Sequence, residues 1–446
     1  MPRWAITGPT FHDPVPRFLL EFHPCGMVWP TLAGLQPGET RTPEMRPKDK
    51  IINEVDRLAA ELIATSRFLH QHPELAYEER ESARRLTSLL KAHEFEVIDG
   101  AGGLPTAFLA RAGVERPSAT VAFLAEYDAL PSLGHACGHN LIAASSIGAA
   151  LALRPLLPAL GGQVVVVGCP AEENGGGKIA LVKAGLFAGI DAALLVHPSN
   201  RTELFKCALA MRALGVEFFG KSSHAAAAPH LGINALNAVL LSFTNLNALR
   251  QQLREDARIH GVITDGGRAP NIIPDYAATR FYIRALDLDY LRDLHRRVVA
   301  CFEAAAQATG ARVMITEEGE EYHPMKFNRV LGGIFRANLE ALGERVEQTP
   351  EDQELGSTDV GNVSQVVPTI QPTIALTEQL EVVCHTTAFA EAAGASAGDR
   401  ALLLAAKTLA LTALDLFTDP VARQGVREEF EKDREEVKGE AAGDEA

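Results

Sequence analysis

The sequence predicts an α/β fold: a mostly parallel sheet covered by helices, with a second, ferredoxin-like unit inserted into it. Three observations lead there. Between residues 118 and 196 the apolar runs 120–125, 164–167 and 192–196 alternate with helical stretches at 141–153 and 180–184, the alternation of a parallel sheet. From about residue 212 the pattern becomes strand 213–219, helix 234–253, strands 259–265 and 276–285, helix 288–307 and strand 311–316. That is a β-α-β-β-α-β order. Strand and helix patterns resume after Lys326, so the second unit interrupts the first.

A chain of 446 residues, 47 % hydrophobic and 22 % charged, is long enough for a large core and two domains. Its net charge of -15 argues against nucleic acid or an anionic membrane as partner. The cysteines (Cys25, Cys137, Cys169, Cys207, Cys301, Cys384) lack the spacing of a disulfide framework. A reducing compartment is expected, and with no targeting segment visible the expectation is the cytoplasm. No uninterrupted apolar run reaches the roughly 20 residues of a membrane-spanning helix.

Taken in order, the first 50 residues are proline-rich and aperiodic. They read as a disordered or extended arm, or as an extension upstream of a start near Met45. Ile51, Val55, Leu58, Leu62 and Leu69 then mark one face of a helix that Pro73 stops. His70 and His72, at that helix end, read as packing residues. A second helical pattern covers 79–93.

Open α/β sheets place their sites beyond the carboxyl ends of the strands, and chemistry-bearing residues recur there. Asp128, Cys137 and His139 follow the first apolar run, Glu172 and Glu173 the second, and His197 the third. Cys137 and His139 stand two apart on Gly134-His135-Ala136-Cys137-Gly138-His139-Asn140-Leu141, offering a thiolate and an imidazole to a borderline-soft divalent ion. Adjacent carboxylates can divide two roles, one as ligand and the other as proton acceptor. Gly175-Gly176-Gly177-Lys178 is no phosphate loop, because its spacing fails and Ile179 stands where Ser or Thr is needed. In the inserted unit His224, Asn271 and Arg284 are the polar residues of note; by spacing alone each reads as a surface or turn residue. Later come Gly356-Ser357-Thr358-Asp359-Val360-Gly361-Asn362, a strand-like stretch 366–375, His385 and a helix over 401–416. The Glu- and Lys-rich tail from 427 reads as a frayed helix or disordered segment.

These residues resemble the M20 family of metal-dependent amidohydrolases and peptidases, which includes aminoacylases, auxin-conjugate hydrolases and p-aminobenzoyl-glutamate hydrolases. The resemblance spans roughly 51–418. It rests on Tyr127-Asp128-Ala129-Leu130-Pro131, His135-Ala136-Cys137-Gly138-His139-Asn140, Pro170-Ala171-Glu172-Glu173, His197-Pro198, Gly220-Lys221-Ser222-Ser223-His224-Ala225 and Pro270-Asn271-Ile272-Ile273-Pro274. Asn140 and the 356–363 segment are most similar to the β-alanyl-lysine dipeptidase and p-aminobenzoyl-glutamate branch. Other family members carry His and Asp where this chain has Glu126 and Cys137.

The resemblance implies a di-metal hydrolase domain (51–211 and 327–420), a lid and dimerisation domain (212–326) and a charged tail (421–446). It implies metal ligation by Cys137, His139, Glu173, His197 and His385, with Glu172 as general base and Asp128 supporting the site from behind. Two divalent ions are expected, zinc first, with manganese or cobalt as alternatives. In the implied homodimer His224 reaches the partner's site to polarise the scissile carbonyl, and Asn271 and Arg284 hold the substrate's carboxylate. The expected reaction is hydrolysis of an amide or peptide bond in a dipeptide-like substrate. N-acyl-amino-acid or p-aminobenzoyl-glutamate hydrolysis is the alternative, and a non-catalytic dimeric binding protein is a second. A cysteine hydrolase built on Cys137 and His139 is disfavoured, because residues two apart in a tight loop are poorly placed as nucleophile and base.

Overall fold

The structure, a computed structural model, describes residues 45–348 and 356–443, with side chains through 432. Most of the expected N-terminal arm therefore lies outside the described residues, and its last few positions already enter the first helix. Helix α1 (Pro47–Gln71) has proline in its first turn, where a missing N–H costs nothing. It buries Ile51, Val55, Leu58, Leu62 and Leu69, the face expected from the spacing. Helix α2 (Arg80–Ala92) follows, its N-terminus closed by the Glu74 carboxylate, which accepts from Glu81 N (3.0 Å) and Ser82 N (2.8 Å).

Next come β1 (Glu96–Asp99), β2 (Phe108–Gly113), β3 (Thr120–Glu126), α3 (His139–Leu153), the short α4 (Leu157–Leu160), β4 (Gln163–Cys169), α5 (Gly177–Lys183), β5 (Ala192–Leu194) and β6 (His197–Ser199). The inserted unit runs β7 (Ala210–Phe219), α6 (Ala235–Arg250), β8 (Arg258–Asp265), β9 (Tyr276–Ala285), α7 (Leu288–Thr309) and β10 (Arg312–Glu317). The first unit then resumes with α8 (Arg329–Ala341), α9 (Val360–Ser364), β11 (Thr369–Ile370), β12 (Thr373–Ala375), α10 (Thr387–Ala393), α11 (Ser396–Thr418) and α12 (Pro420–Gly443).

The larger sheet has the order β1-β2-β4-β3-β5-β11. Its centre is parallel: β3 pairs with β4 and β5, and β5 with β11. Strands β1 and β2 form an antiparallel flank that the apolar pattern does not announce. The expected strand at 192–196 is shorter in the structure, β5 ending at Leu194, and β6 follows at His197 in a separate pairing with β12. The inserted unit has the order β10-β7-β9-β8 with antiparallel pairing throughout. That is the ferredoxin-like arrangement, with its own core around Val216, Phe218, Phe281 and Phe302.

Two helical spans, His139–Leu160 and Ser396–Thr418, are long and apolar enough to cross a membrane. Small and polar residues interrupt both, so neither reads as a continuous apolar run in the sequence. Their most apolar stretches are 78 % and 72 % buried inside the protein, so this apolarity serves the core. Helices α1, α3 and α11 pack so closely that a Cβ on Gly148 would lie 2.7 Å from Leu62 Cδ1 and 3.2 Å from Ala406 Cβ. Leu62→Ala opens a cavity in this contact and is expected to cost about 2–5 kcal/mol, read as a lowered urea midpoint with unchanged slope.

The acidic tail takes the helical one of its two expected forms, and its start is docked. It begins as helix α12 docked on α8, with Val426 buried and its carbonyl accepting from Asn328 Nδ2. Glu429 accepts from Arg329 N and Val330 N at the start of α8, where a carboxylate satisfies orphan amides.

Candidate metal centre

The carboxyl ends of β3, β4 and β5 deliver their loops to one place. After β3, Asp128 turns inward. The following loop closes through Gly138, which has φ +77° and no room for a side chain: a Cβ there would sit 2.4 Å from Pro198 Cγ. Helix α3 therefore starts at His139 with its imidazole fully buried. After β4, Ala171 adopts a left-handed φ of 57°, held by Glu79, whose carboxylate accepts from Ala171 N at 2.8 Å. Glu172 and Glu173 follow directly. His385 is likewise left-handed at φ 67°, and its N–H donates to Ala136 O at 2.8 Å. Such backbone costs about 1–3 kcal/mol per residue and clusters where side chains must be aimed.

Hydrogen bonds fix how the ring nitrogens face. Asp128 Oδ1 lies 2.9 Å from His139 Nδ1, and its Oδ2 accepts from Glu173 N at 2.9 Å. One buried carboxylate thus orients two neighbours. With Nδ1 donating, His139 presents the Nε2 lone pair to Glu126 Oε2 at 3.6 Å, Glu173 Oε1 at 3.8 Å and Glu172 Oε2 at 3.9 Å. Neither His139 Nε2 nor Glu173 Oε1 has a hydrogen-bond partner, though both are buried. A buried nitrogen facing three carboxylates calls for positive charge between them, a proton or a bound cation.

On the other side, His197 Nδ1 donates to Pro198 O at 2.6 Å, which turns Nε2 to within 3.3 Å of Cys137 Sγ. His385 Nε2 lies 3.4 Å from Glu173 Oε1. Donor atoms gather in three overlapping sets: Cys137, His139 and His197; Cys137, Glu173 and His385; His139, Glu172 and Glu173. Within each set they lie within 4.8 Å of one another. Thiolate, imidazole and carboxylate at such spacing suit a pair of divalent ions.

The electrostatics point the same way. Burial works against charge on His139, yet Asp128, Glu126 and Glu173 outweigh it and raise its basicity well above the usual range. The site thus favours positive charge at that nitrogen. Burial also penalises charge on Glu173, but the imidazole of His385, 3.4 Å away, and the charge of His139 hold its carboxyl at about 2. Burial, with Glu126 and Glu173 adding to it, pushes the Glu172 carboxyl well up. Two adjacent glutamates are thereby split into an anion and a stronger base. Burial lowers His197 to about 4, leaving it neutral.

A pocket opens on this cluster, lined by Cys137, Glu172, His197, Ser357 and Thr373 among others. Arg284, half-buried at the end of β9, donates to Ser357 Oγ at 3.2 Å, and its Nε has no partner. His224 and Asn271 lie elsewhere and do not line the pocket. They adjoin each other on the inserted unit, where His224 bridges to Ile272 and Asn271 O accepts from Ala225 N at 3.0 Å. His70 and His72 contact the carbonyls of Ala390 and Phe68, both at 2.8 Å, as packing residues do.

Residues 212–309 match the model of a peptidase dimerisation domain. The chain is 41 % identical over 412 residues to the Xaa-Arg dipeptidase of Mus musculus, covering 89 % of this chain and 95 % of that protein. The chain belongs to the M20 peptidase family. Among M20 relatives it is also 31 % identical to a p-aminobenzoyl-glutamate hydrolase polypeptide of Escherichia coli, over 82 % of this chain and 90 % of that one. Its fold is similar to a dinuclear metal-binding M20 peptidase from Bacillus subtilis, with a TM-score of 0.61 at 21 % identity, covering 81 % of this chain and 99 % of that one.

One group in this M20 site escapes a reading by sequence. Lys178, fully buried at the start of α5, has its Nζ 2.6 Å from Asp359 Oδ1 and 2.7 Å from Glu126 Oε1. Burial opposes its charge, but Asp359 and Glu126 outweigh that and keep it protonated. The available signal was a lysine opening a short apolar helix, Lys178-Ile179-Ala180-Leu181-Val182.

Proposed function

We propose that this M20 chain is a metal-dependent dipeptidase, hydrolysing the amide or peptide bond of a small dipeptide-like substrate with a free carboxylate. The observation that carries the reading is the buried His139 Nε2, unpartnered and faced by three carboxylates, beside Cys137, His197 and His385. Cys137, His139, Glu173, His197 and His385 would hold two divalent ions, with zinc the first choice for a thiolate and imidazole set. When bound, such ions would supply Lewis acidity to activate water and polarise the substrate carbonyl.

The chain's own residues do the rest. Asp128 keeps His139 in the tautomer that offers Nε2. Glu172 takes the proton of the attacking water as its oxygen bonds to the carbonyl carbon. It then passes that proton to the leaving nitrogen as the C–N bond breaks. Arg284 offers a forked guanidinium to the substrate carboxylate at the Ser357 side of the pocket, and Asn271, like His224, would reach it from a second copy.

A homodimer fits the inserted unit. Strand β8 is an open edge carrying exposed Val262 and Ile263, and Leu240 on α6 is exposed beside this sheet. An apolar open edge is a surface that a second copy would cover. In such a dimer His224 would serve the partner's pocket. The same site would accept N-acyl amino acids, a reading favoured by the p-aminobenzoyl-glutamate hydrolase relative.

The test is a panel of dipeptides and N-acyl amino acids with metal content measured in parallel. Turnover should vanish with a chelator and return with zinc or manganese. Activity that survives complete metal removal would end this reading. The preferred substrates decide between dipeptidase and acylase.

A further inference from the structure

The five ligands and the base account for most of the buried polar groups around the pocket, but not for Glu126, Lys178 and Asp359. All three are fully buried. Asp359 grips Lys178 twice, accepting from its backbone N at 2.9 Å and its Nζ at 2.6 Å. Lys178 Nζ in turn meets Glu126 Oε1 at 2.7 Å. That leaves Glu126 Oε2 directed at His139 Nε2, 3.6 Å away. Glu126 is the last residue of β3, so the strand fixes its backbone while Lys178 fixes its side chain.

Two buried carboxylates share one ammonium, and neither Glu126 oxygen has a hydrogen-bond partner. An uncompensated buried charge is costly. The group it faces, His139 Nε2, is itself buried without a hydrogen-bond partner. A divalent cation beside His139 relieves both at once.

We infer that Glu126 is a further carboxylate of the metal centre, directed at the ion that His139 and Glu173 hold, and that Lys178, anchored by Asp359, is the positioning residue that keeps it there. The inference rests on the metal-dependent reading above. It goes beyond the ligand set of Cys137, His139, Glu173, His197 and His385 by assigning work to a lysine and an aspartate that touch no substrate.

The test reads metal binding, not turnover. Purified wild type, Glu126→Gln and Lys178→Met are stripped, titrated with zinc against a chromogenic chelator, and counted for zinc per chain after gel filtration. Supporting groups around metal ligands typically change affinity about 10–100-fold. Glu126→Gln is expected to hold one ion as tightly as wild type and the other about 10–100-fold more weakly. Lys178→Met should weaken the same ion. A purely structural role would lower the melting temperature of the stripped protein and leave both affinities alone. Should Lys178→Met fail to fold, Glu126→Gln, which conserves size, still decides. Two ions bound by Glu126→Gln with wild-type affinity would overturn the inference while leaving the metal-dependent reading intact. A wild type that binds no zinc would overturn both.

Discussion

Glu172→Gln is expected to lower kcat by about 10²–10⁴-fold, the range attributed to a positioned general base, with zinc content and KM little changed. Glutamine keeps the size of the side chain and can still accept a hydrogen bond. It cannot take a proton from water. Burial and the neighbouring Glu126 and Glu173 raise the Glu172 carboxyl, whereas His385 and His139 hold Glu173 far down. The first is the better base and the second the better anionic ligand. Glu173→Gln should therefore fail differently, losing metal first and activity as a consequence. Steady-state kinetics with metal analysis on both variants separates the roles. If Glu172→Gln retains a tenth or more of the wild-type rate, another group is the base.

That division of labour was legible in the sequence only as two adjacent glutamates after an apolar run. Buried parallel strands announce themselves, which is why β3 and β4 stood out and why the loops after them could be searched for ligands. Strand β1, Glu-Val-Ile-Asp at a sheet edge, is largely exposed and carries no such signature. The apolar run outlasts β5 because Leu195 and Val196 continue it, whereas β6, His197-Pro198-Ser199, carries no strand signature. Only the pairing partners, β11 and β12, show that the chain changes sheets. The site shows the same limit. Cys137, His139, Glu172, Glu173 and His197 are recognisable by residue type after the apolar runs, whereas His385 is singled out only through the family resemblance. Glu126 stands just past the apolar run, marked only by the His that other family members carry there, and Lys178 finds its partner Asp359 at a separation of 181 residues. Local pattern carries no trace of a pairing made by the fold. The docking of α12 is hidden for the same reason, since its anchors Asn328 and Arg329 lie 98 and 100 residues upstream of the groups they meet.

His224→Ala is expected to reduce kcat by about 10²–10³-fold, the loss seen when one donor to a developing oxyanion is removed, with metal content and dimer sedimentation unchanged. The structure gives this residue no role in its own chain's pocket. It is exposed, its Nδ1 accepts from Ala227 N at 3.1 Å, and its neighbour is Asn271, the other expected substrate contact. Two substrate-binding candidates displaced together make sense if a second copy brings them to bear. A two-fold dimer makes that a quantitative claim. Mixing His224→Ala with Glu172→Gln, each nearly inactive alone, forms mixed dimers after protomer exchange. One pocket in each mixed dimer then combines an intact Glu172 with an intact partner His224. With random exchange half the dimers are mixed and half their sites are complete, so about a quarter of wild-type activity should return. Mixed dimers demonstrated by mass but without recovered activity would confine His224 to a role within its own chain. Full activity of a strictly monomeric form would remove it from the reaction altogether.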